Sequence, residues 1–232
     1  MLENIKESVA LANKGLKKHQ LVVLTWGNAS EKDPETGNVV IKPSGVDYAD
    51  MNAADMVVVS IEGAILEGDL RPSSDLETHL EIYRSHPEIG GIVHTHSPYA
   101  VAYSQAGRSL KVYGTTHADY FHGEIPCTRV LTQAEILSSY EANIGKVINE
   151  SLQTNGLLVP GILVRSHGCF TFGKNATEAV YHAIVLEEIA KMNHYTEVID
   201  PNLKEIDQAL LDKHYFRKHG MKAYYGQGGN RK

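Results

Sequence analysis

The sequence predicts an α/β fold in which helices cover a mixed or antiparallel sheet. Three observations predict it. Helix-start signals alternate with short β-rich runs along all 232 residues without a break in composition. Several of the strand runs are joined by tight turn chemistry, as in hairpins, and not by the long crossovers of a βαβ barrel. No internal repeat, low-complexity segment or long linker divides the chain, so one domain is expected.

The elements follow in order. Leu2, Ile5, Val9, Ala12 and Leu16 recur at helical spacing among charged residues, so the N-terminal segment reads as a docked amphipathic helix and not as a secretory leader. Residues 21–25 form a short β-rich run ending at Gly27-Asn28, and residues 33–38 carry turn chemistry. Residues 39–42 read as a strand closed by Pro43-Ser44-Gly45, and residues 56–61 and 64–66 as a hairpin about Glu62-Gly63. Ser74-Asp75-Leu76-Glu77 has the form of a capping box opening a helix to about Ser85. Residues 91–96 are a strand. Ser97-Pro98 then has the form of an N-cap with proline at the first helical position, starting a helix to about Ala106. A second box, Thr132 to Glu135, predicts one helix to about Leu152. Residues 161–165 and 170–172 are strands about Ser166-His167-Gly168. Asn175 caps a helix to about Tyr195, and a last helix covers about 203–219 with Gly220 as its C-cap.

Composition narrows the function. The net charge of −6 excludes a generally basic nucleic-acid binder. No apolar stretch reaches the ~20 residues that span a bilayer. The two cysteines, Cys127 and Cys169, have no CxxC spacing, which excludes a disulfide framework and a cysteine-rich zinc module. A soluble, cytoplasmic protein is expected. Histidine, at twelve residues, is over-represented, and it is the commonest metal ligand.

His94 and His96 alternate along a strand and therefore point to one side, with Cα atoms about 6.5–7 Å apart. His167 ends another apolar strand, before a glycine that permits close approach. Together they make a candidate three-histidine metal site of the kind that leaves a position open for water or substrate. Asp75 is a candidate carboxylate ligand, or an orienter of one. His79, one turn on, competes as a ligand but reads better as a helix-core histidine. Asp119, in the polar stretch 114–120, is either a general acid or base or the maker of an Asx turn.

Three short elements have the chemistry of a phosphate cradle: Gly27-Asn28, Lys42-Pro43-Ser44-Gly45 and Ser73-Ser74. They offer hydroxyls, unhindered N–H groups, one cation and a helix N-terminus. No P-loop or GxGxxG occurs, so a nucleotide has little support. His214 and Arg217 share one helix face, either to contact an anionic ligand or as a solvated basic helix end.

With these residues set out, the chain resembles the class II aldolase/epimerase family along residues 1–227. The resemblance is carried by LTWGNAS (24–30), IKPSGVDY (41–48), RPSSDLETH (71–79), GGIVHTHS (90–97), GTTHADYFHG (114–123), SHG (166–168), DKHYFRKHG (212–220) and KAYYGQ (222–227). Residues 228–232 lie beyond it as a polar tail. The resemblance implies a three-layer α/β/α sandwich around a largely antiparallel sheet, and a homotetramer with active sites between subunits. It implies that His94, His96, His167 and Asp75 hold a divalent ion, zinc by its donor set, with manganese and cobalt as the other candidates. Gly27, Asn28, Ser44, Gly45, Ser73 and Ser74, with Lys42 nearby, resemble the contacts to a sugar phosphate. Asp119 and Tyr225 resemble an acid/base pair, Tyr225 from the adjacent subunit, and Thr115, His214 and Arg217 resemble supporting residues. The family's aldolases carry glutamate at the position of Asp75 and lack the GTTHADYF segment. Both differences point to the family's sugar-phosphate 4-epimerases, which invert carbon 4 by retro-aldol and aldol steps. The competing expectations are a sugar-phosphate aldolase and a non-catalytic module that binds metal or sugar phosphate.

Overall fold

Strand side chains alternate faces, and the two faces of this sheet meet different helices. The computed structural model describes residues 2–155, 159–219 and 223. Its strands are β1 (Asn28–Lys32), β2 (Val39–Ile41), β3 (Val57–Val59), β4 (Ile65–Glu67), β5 (Gly91–Thr95), β6 (Gly161–Val164) and β7 (Gly168–Gly173). Its helices are α1 (Glu3–Lys18), α2 (Leu76–Ser85), α3 (Pro98–Ala106), α4 (Thr115–Ala118), α5 (Gln133–Leu137), α6 (Tyr140–Asn155), α7 (Ala176–Ile199) and α8 (Gln208–Lys218). The seven strands form one sheet in the order β4-β3-β2-β1-β5-β7-β6, and every neighbouring pair is antiparallel.

Val39, Ile41, Val57, Val59, Ile92, Phe170 and Phe172 pack with Leu80 and Ile82 of α2 and Ile144, Val147 and Ile148 of α6. The intervening Val40, Val58 and Val93 pack with Val9 and Leu16 of α1 and Ala179 and Ala183 of α7. Leu163 and Cys169 join Ala100 and Tyr103 of α3 and Leu186 of α7. Each such aliphatic or aromatic side chain contributes roughly 1.5–3 kcal/mol by leaving water. A one-residue slip would exchange the two sets, so the register is fixed firmly.

The central strand β1 lies elsewhere than the sequence suggests. The apolar run 21–25 is not a strand: Leu21 and Val22 are buried, Val23 and Leu24 are exposed, and Leu24 is left-handed at φ 53°. The strand begins three residues later, in the polar Asn-Ala-Ser-Glu-Lys. Its polar side chains are used in tertiary hydrogen bonds. Ser30 Oγ lies 2.7 Å from His79 Nδ1 and 2.8 Å from Tyr83 Oη, and Glu31 accepts from Ser8 Oγ and Ala176 N. Buried Asn13 of α1 accepts from Ala29 N at 2.9 Å and donates to Ala29 O at 3.2 Å, an oxygen that Lys42 N also reaches at 3.4 Å.

Other boundaries differ too. The box expected at Ser74 does not form: α2 starts at Leu76 behind Asp75, which makes no capping bond. The Thr132 box does form, with Glu135, but its helix ends at Leu137 and α6 restarts at Tyr140, so two helices replace one. Segment 114–120 contains the short helix α4 in place of a loop. Helix α7 runs on to Ile199, and α8 begins at Gln208, capped by Asp207, and not near 203. Gly220, Tyr225 and the tail 228–232 lie outside the described residues.

Candidate active site

The pairing of β5 with β7 sets Thr95 opposite Cys169. It thereby brings the end of one strand, with His94 and His96, against the hairpin turn that carries His167. The three rings converge. His94 Nε2 lies 3.0 Å from His96 Nε2 and 3.2 Å from His167 Nε2, and one nitrogen from each ring falls within 4.8 Å of the others. Three ligands at Zn–N of about 2.0–2.1 Å in a tetrahedron would stand about 3.4 Å apart, so the cluster is close to the spacing that one ion imposes.

The convergence is held from behind. His94 Nδ1 lies 3.0 Å from Cys169 O, and its ring stacks on Phe170 at 4.3 Å. A carbonyl only accepts, so Nδ1 carries the proton and the Nε2 lone pair faces the cluster. The turn that presents His167 includes Ser166 at φ 61°, a left-handed conformation uncommon outside glycine. Buried Ser104 of α3 secures it: Ser166 N donates to Ser104 O at 3.0 Å, His167 N to Ser104 Oγ at 3.3 Å, and Ser104 Oγ to Val164 O. At Gly168 a Cβ would meet Thr95 O at 2.6 Å and His94 Cε1 at 3.0 Å, so only glycine lets the two strand ends close. Ser97 takes the expected N-cap position with Pro98 at the start of α3, but its side chain makes no cap bond. Ser97 Oγ donates to Glu187 of α7, and the same carboxylate accepts from Tyr99 N and Ala100 N at 2.9 Å. That carboxylate caps α3 directly after His96.

Burial and the neighbouring His94 and His96 push His167 down to about 4, against the pull of Asp75. Burial and His94 also lower His96. Both rings are therefore neutral and ligand-competent near pH 7. Burial opposes ionisation of Asp75, but His94, His79, the Asn28 amide and His167 hold its carboxyl below the ordinary range. Asp75 is not one of the converging donors. It stands beside them in the same cavity, its Oδ2 accepting from Asn28 Nδ2 at 2.7 Å. His79 stays in the core as the helix-core reading expected, bonded to Ser30 and pushed down to about 3 by burial.

The cavity over the cluster measures about 480 Å³. It gathers the metal candidates Asp75, His94, His96 and His167 with the whole cradle: Gly27, Asn28, Lys42, Ser44, Gly45, Ser73 and Ser74. Lys42 is 2% exposed, and among the described residues its Nζ reaches only Pro43 O at 3.2 Å and Thr25 O at 3.4 Å, over the Tyr48 ring at 5.1 Å. Burial lowers its pKa, while Asp47 and Asp75 oppose that. Among the described residues it has no salt bridge, so an anion in the cavity would complete it. Asn28 donates to Ser73 Oγ and Asp75, while its buried Oδ1 has no partner among the described residues. Gly27 is at φ 75°, and a Cβ there would meet His94 O at 2.8 Å.

Four expected site residues are not on this cavity. Asp119 follows α4 and is bound by α8: His214 Nδ1 at 3.0 Å, Arg217 Nη2 at 2.9 Å to both oxygens, and Lys218 Nζ at 3.3 Å. Thr115 opens α4 and accepts Asp119 N through its carbonyl at 2.9 Å. Burial opposes ionisation of Asp119, but hydrogen bonds from Arg217, His214 and Lys218 outweigh it and keep the group a carboxylate. The structure thus divides the expected site into a metal-and-anion half and an Asp119–His214–Arg217 half. Sequence reasoning missed Trp26, Tyr140 and Glu141, which line the cavity, and Ser104 and Glu187, which support it. No signal read in the sequence marks them: residues 138–139, where the chain breaks before Tyr140, read as the interior of one helix.

Comparison with known proteins agrees with this architecture. The Class II Aldolase and Adducin N-terminal domain family matches residues 7–194, and the chain belongs to that family. Among solved structures it is similar to an L-fuculose 1-phosphate aldolase at 23% identity, covering 91% of this chain and 94% of that one, with a TM-score of 0.77. The L-fuculose 1-phosphate aldolase from Glaciozyma antarctica aligns at 20% identity, 95% and 84% coverage, and a TM-score of 0.77. That from Thermus thermophilus aligns at 25% identity, 88% and 100% coverage, and a TM-score of 0.69. Among the described residues no helix is long and apolar enough to cross a membrane.

The buried rings predict the pH dependence of the metal-free fold. His79 and His167, with His117, which burial brings to about 4, all stand below the ordinary 6.5. Between the two values the unfolded chain binds more protons, so stability is full above pH 6.5 and falls as pH drops toward 4. Each ring costs about 2 kcal/mol at pH 5. Urea unfolding of chelator-treated protein should show a midpoint that falls from pH 7 to 5. A midpoint independent of pH over that range would contradict the neutral, buried rings.

Proposed function

We propose that the protein is a metal-dependent epimerase that interconverts L-ribulose 5-phosphate and D-xylulose 5-phosphate at carbon 4. The observation that carries this reading is the convergence of three imidazole nitrogens beside a cavity with a buried, incompletely paired lysine. It supports a site for a phosphorylated sugar whose oxygens reach a metal. Asp75 where the family's aldolases have glutamate, and the segment carrying Asp119, favour epimerase over aldolase. We read the fold as a three-layer α/β/α sandwich, supported by the two helix sets that meet opposite strand faces, and the protein as cytoplasmic.

The donor set fits a divalent ion: the lone pairs converge and the backbone sets the tautomer of His94. His94, His96 and His167 would hold it, with the Asp75 carboxylate on the same cavity wall as the further donor. When bound, such an ion supplies Lewis-acid polarisation of the ketone and charge stabilisation of the enediolate. Zinc suits three imidazoles and a carboxylate, and manganese or cobalt would also serve.

Carbon 4 is not adjacent to the carbonyl, so enolisation alone cannot invert it. Breaking the carbon 3–carbon 4 bond can. A base removes the proton of the 4-hydroxyl, and the bonding pair becomes part of the enediolate of dihydroxyacetone as glycolaldehyde phosphate separates. Lys42, Ser44, Gly45, Ser73 and Ser74 grip the phosphate, so the two-carbon aldehyde stays in the site while it turns. Asn28 Oδ1 accepts from a sugar hydroxyl. The aldehyde turns, the bond re-forms on its other face, and a second group returns the proton. Asp119, already a carboxylate, and Tyr225 take these two roles, with Thr115, His214 and Arg217 in support. Asp119 belongs to the other half of the site, so the reading requires neighbouring subunits, in a homotetramer, to join the halves.

Supplying metal-loaded protein with L-ribulose 5-phosphate tests the reaction. D-xylulose 5-phosphate is the expected product. Glycolaldehyde phosphate and dihydroxyacetone as the main products would make the protein an aldolase, and binding without turnover would make it a binding module. Mixing tests the shared site. His96→Asn and Asp119→Asn should each be inactive, yet recover up to about a quarter of wild-type activity once dissociated and reassembled together. No recovery from correctly assembled hybrids would place both halves within one chain.

A further inference from the structure

We propose that Tyr140 is a positioning residue of the metal centre: its hydroxyl accepts the Nδ1 proton of His167, and its own O–H proton is left for an oxygen of the bound sugar phosphate. The proposal rests on the reading of the three-histidine cluster as a metal site. Tyr140 Oη lies 3.1 Å from His167 Nδ1, with the two rings only 24° from parallel. His167 Nε2 faces His94 Nε2 at 3.2 Å. In the metal-loaded protein Nε2 is the ligand atom, so Nδ1 must carry the proton and donate it to Tyr140.

The three ligands differ in how they are held. The Nδ1 partner of His94 is the backbone carbonyl of Cys169, which no substitution at that residue removes. Among the described residues His96 has no hydrogen-bond partner at Nδ1, and outside the cluster its ring neighbour is Trp26, with centroids 6.4 Å apart. For His167 the ring orientation depends on a side chain, at the first residue of α6. Having accepted from His167, the phenol must donate elsewhere, and no second partner is found among the described residues. Tyr140 lines the cavity with His96, Asp75 and Asn28, so its proton meets the space a substrate would fill.

Cobalt(II) affinity by chelator competition, with the visible cobalt spectrum, tests this in the wild-type chain and in Tyr140→Phe. The variant should bind cobalt about 10–100-fold more weakly, with an altered d–d spectrum, while its metal-free thermal midpoint stays that of the wild type. Its KM for sugar phosphate should rise even at saturating metal. Equal affinity and an identical spectrum in the two proteins would overturn the role of Tyr140 alone. A lowered metal-free midpoint that accounts for the weaker binding would reduce Tyr140 to packing. Failure of the wild-type chain to bind cobalt would overturn the metal site and this proposal with it.

Discussion

The candidate site depends on the antiparallel pairing of β5 with β7. Neither strand end could gather three imidazoles alone. His94 and His96 share a side because strand side chains alternate, and His167 reaches them because Thr95 is in register with Cys169. The register is set by apolar neighbours of the site, Ile92, Phe170 and Phe172 in one cluster and Val93 in another. A slip of one residue would turn the histidines away and bury polar groups, so apolar packing indirectly fixes the geometry of a polar site.

Three imidazoles crowded together are costly to hold without an ion, since each is partly desolvated. The surroundings offset this with rigid backing. Gly168 admits the close approach, Ser104 ties down the left-handed turn, and Glu187 anchors the chain leaving His96. The anion cradle is built similarly. Tyr48 Oη lies 2.6 Å from Trp26 O and 2.9 Å from Gly27 O, and its ring lies beneath Lys42. Preorganisation of this kind suits a site in which small displacements of the reacting atoms matter.

Much of this was legible in the sequence because the signals were local. Alternation made His94 and His96 neighbours, and strand–turn chemistry marked His167, Ser44-Gly45 and Ser73-Ser74. What failed was non-local. Strand β1 has a polar sequence because its side chains bond to α1, α2 and α7, so propensity pointed to the apolar run before it. The box at Ser74 did not form: Ser73 and Asp75 are instead turned to Asn28. Ser104, Glu187 and Tyr140 carry no motif and matter only through contacts made across the fold. The placing of Thr115, Asp119, His214 and Arg217 away from the cavity was also not legible, since it follows from how α4 and α8 pack and not from any local pattern.

The central claim is that His94, His96 and His167 converge as ligands of one ion. X-ray absorption at the metal edge of zinc- or cobalt-loaded protein tests it directly. The account predicts three imidazoles in a nitrogen/oxygen shell at about 2.0–2.1 Å and no sulfur. A shell with a sulfur neighbour near 2.3 Å, or with fewer than three imidazoles, would contradict it.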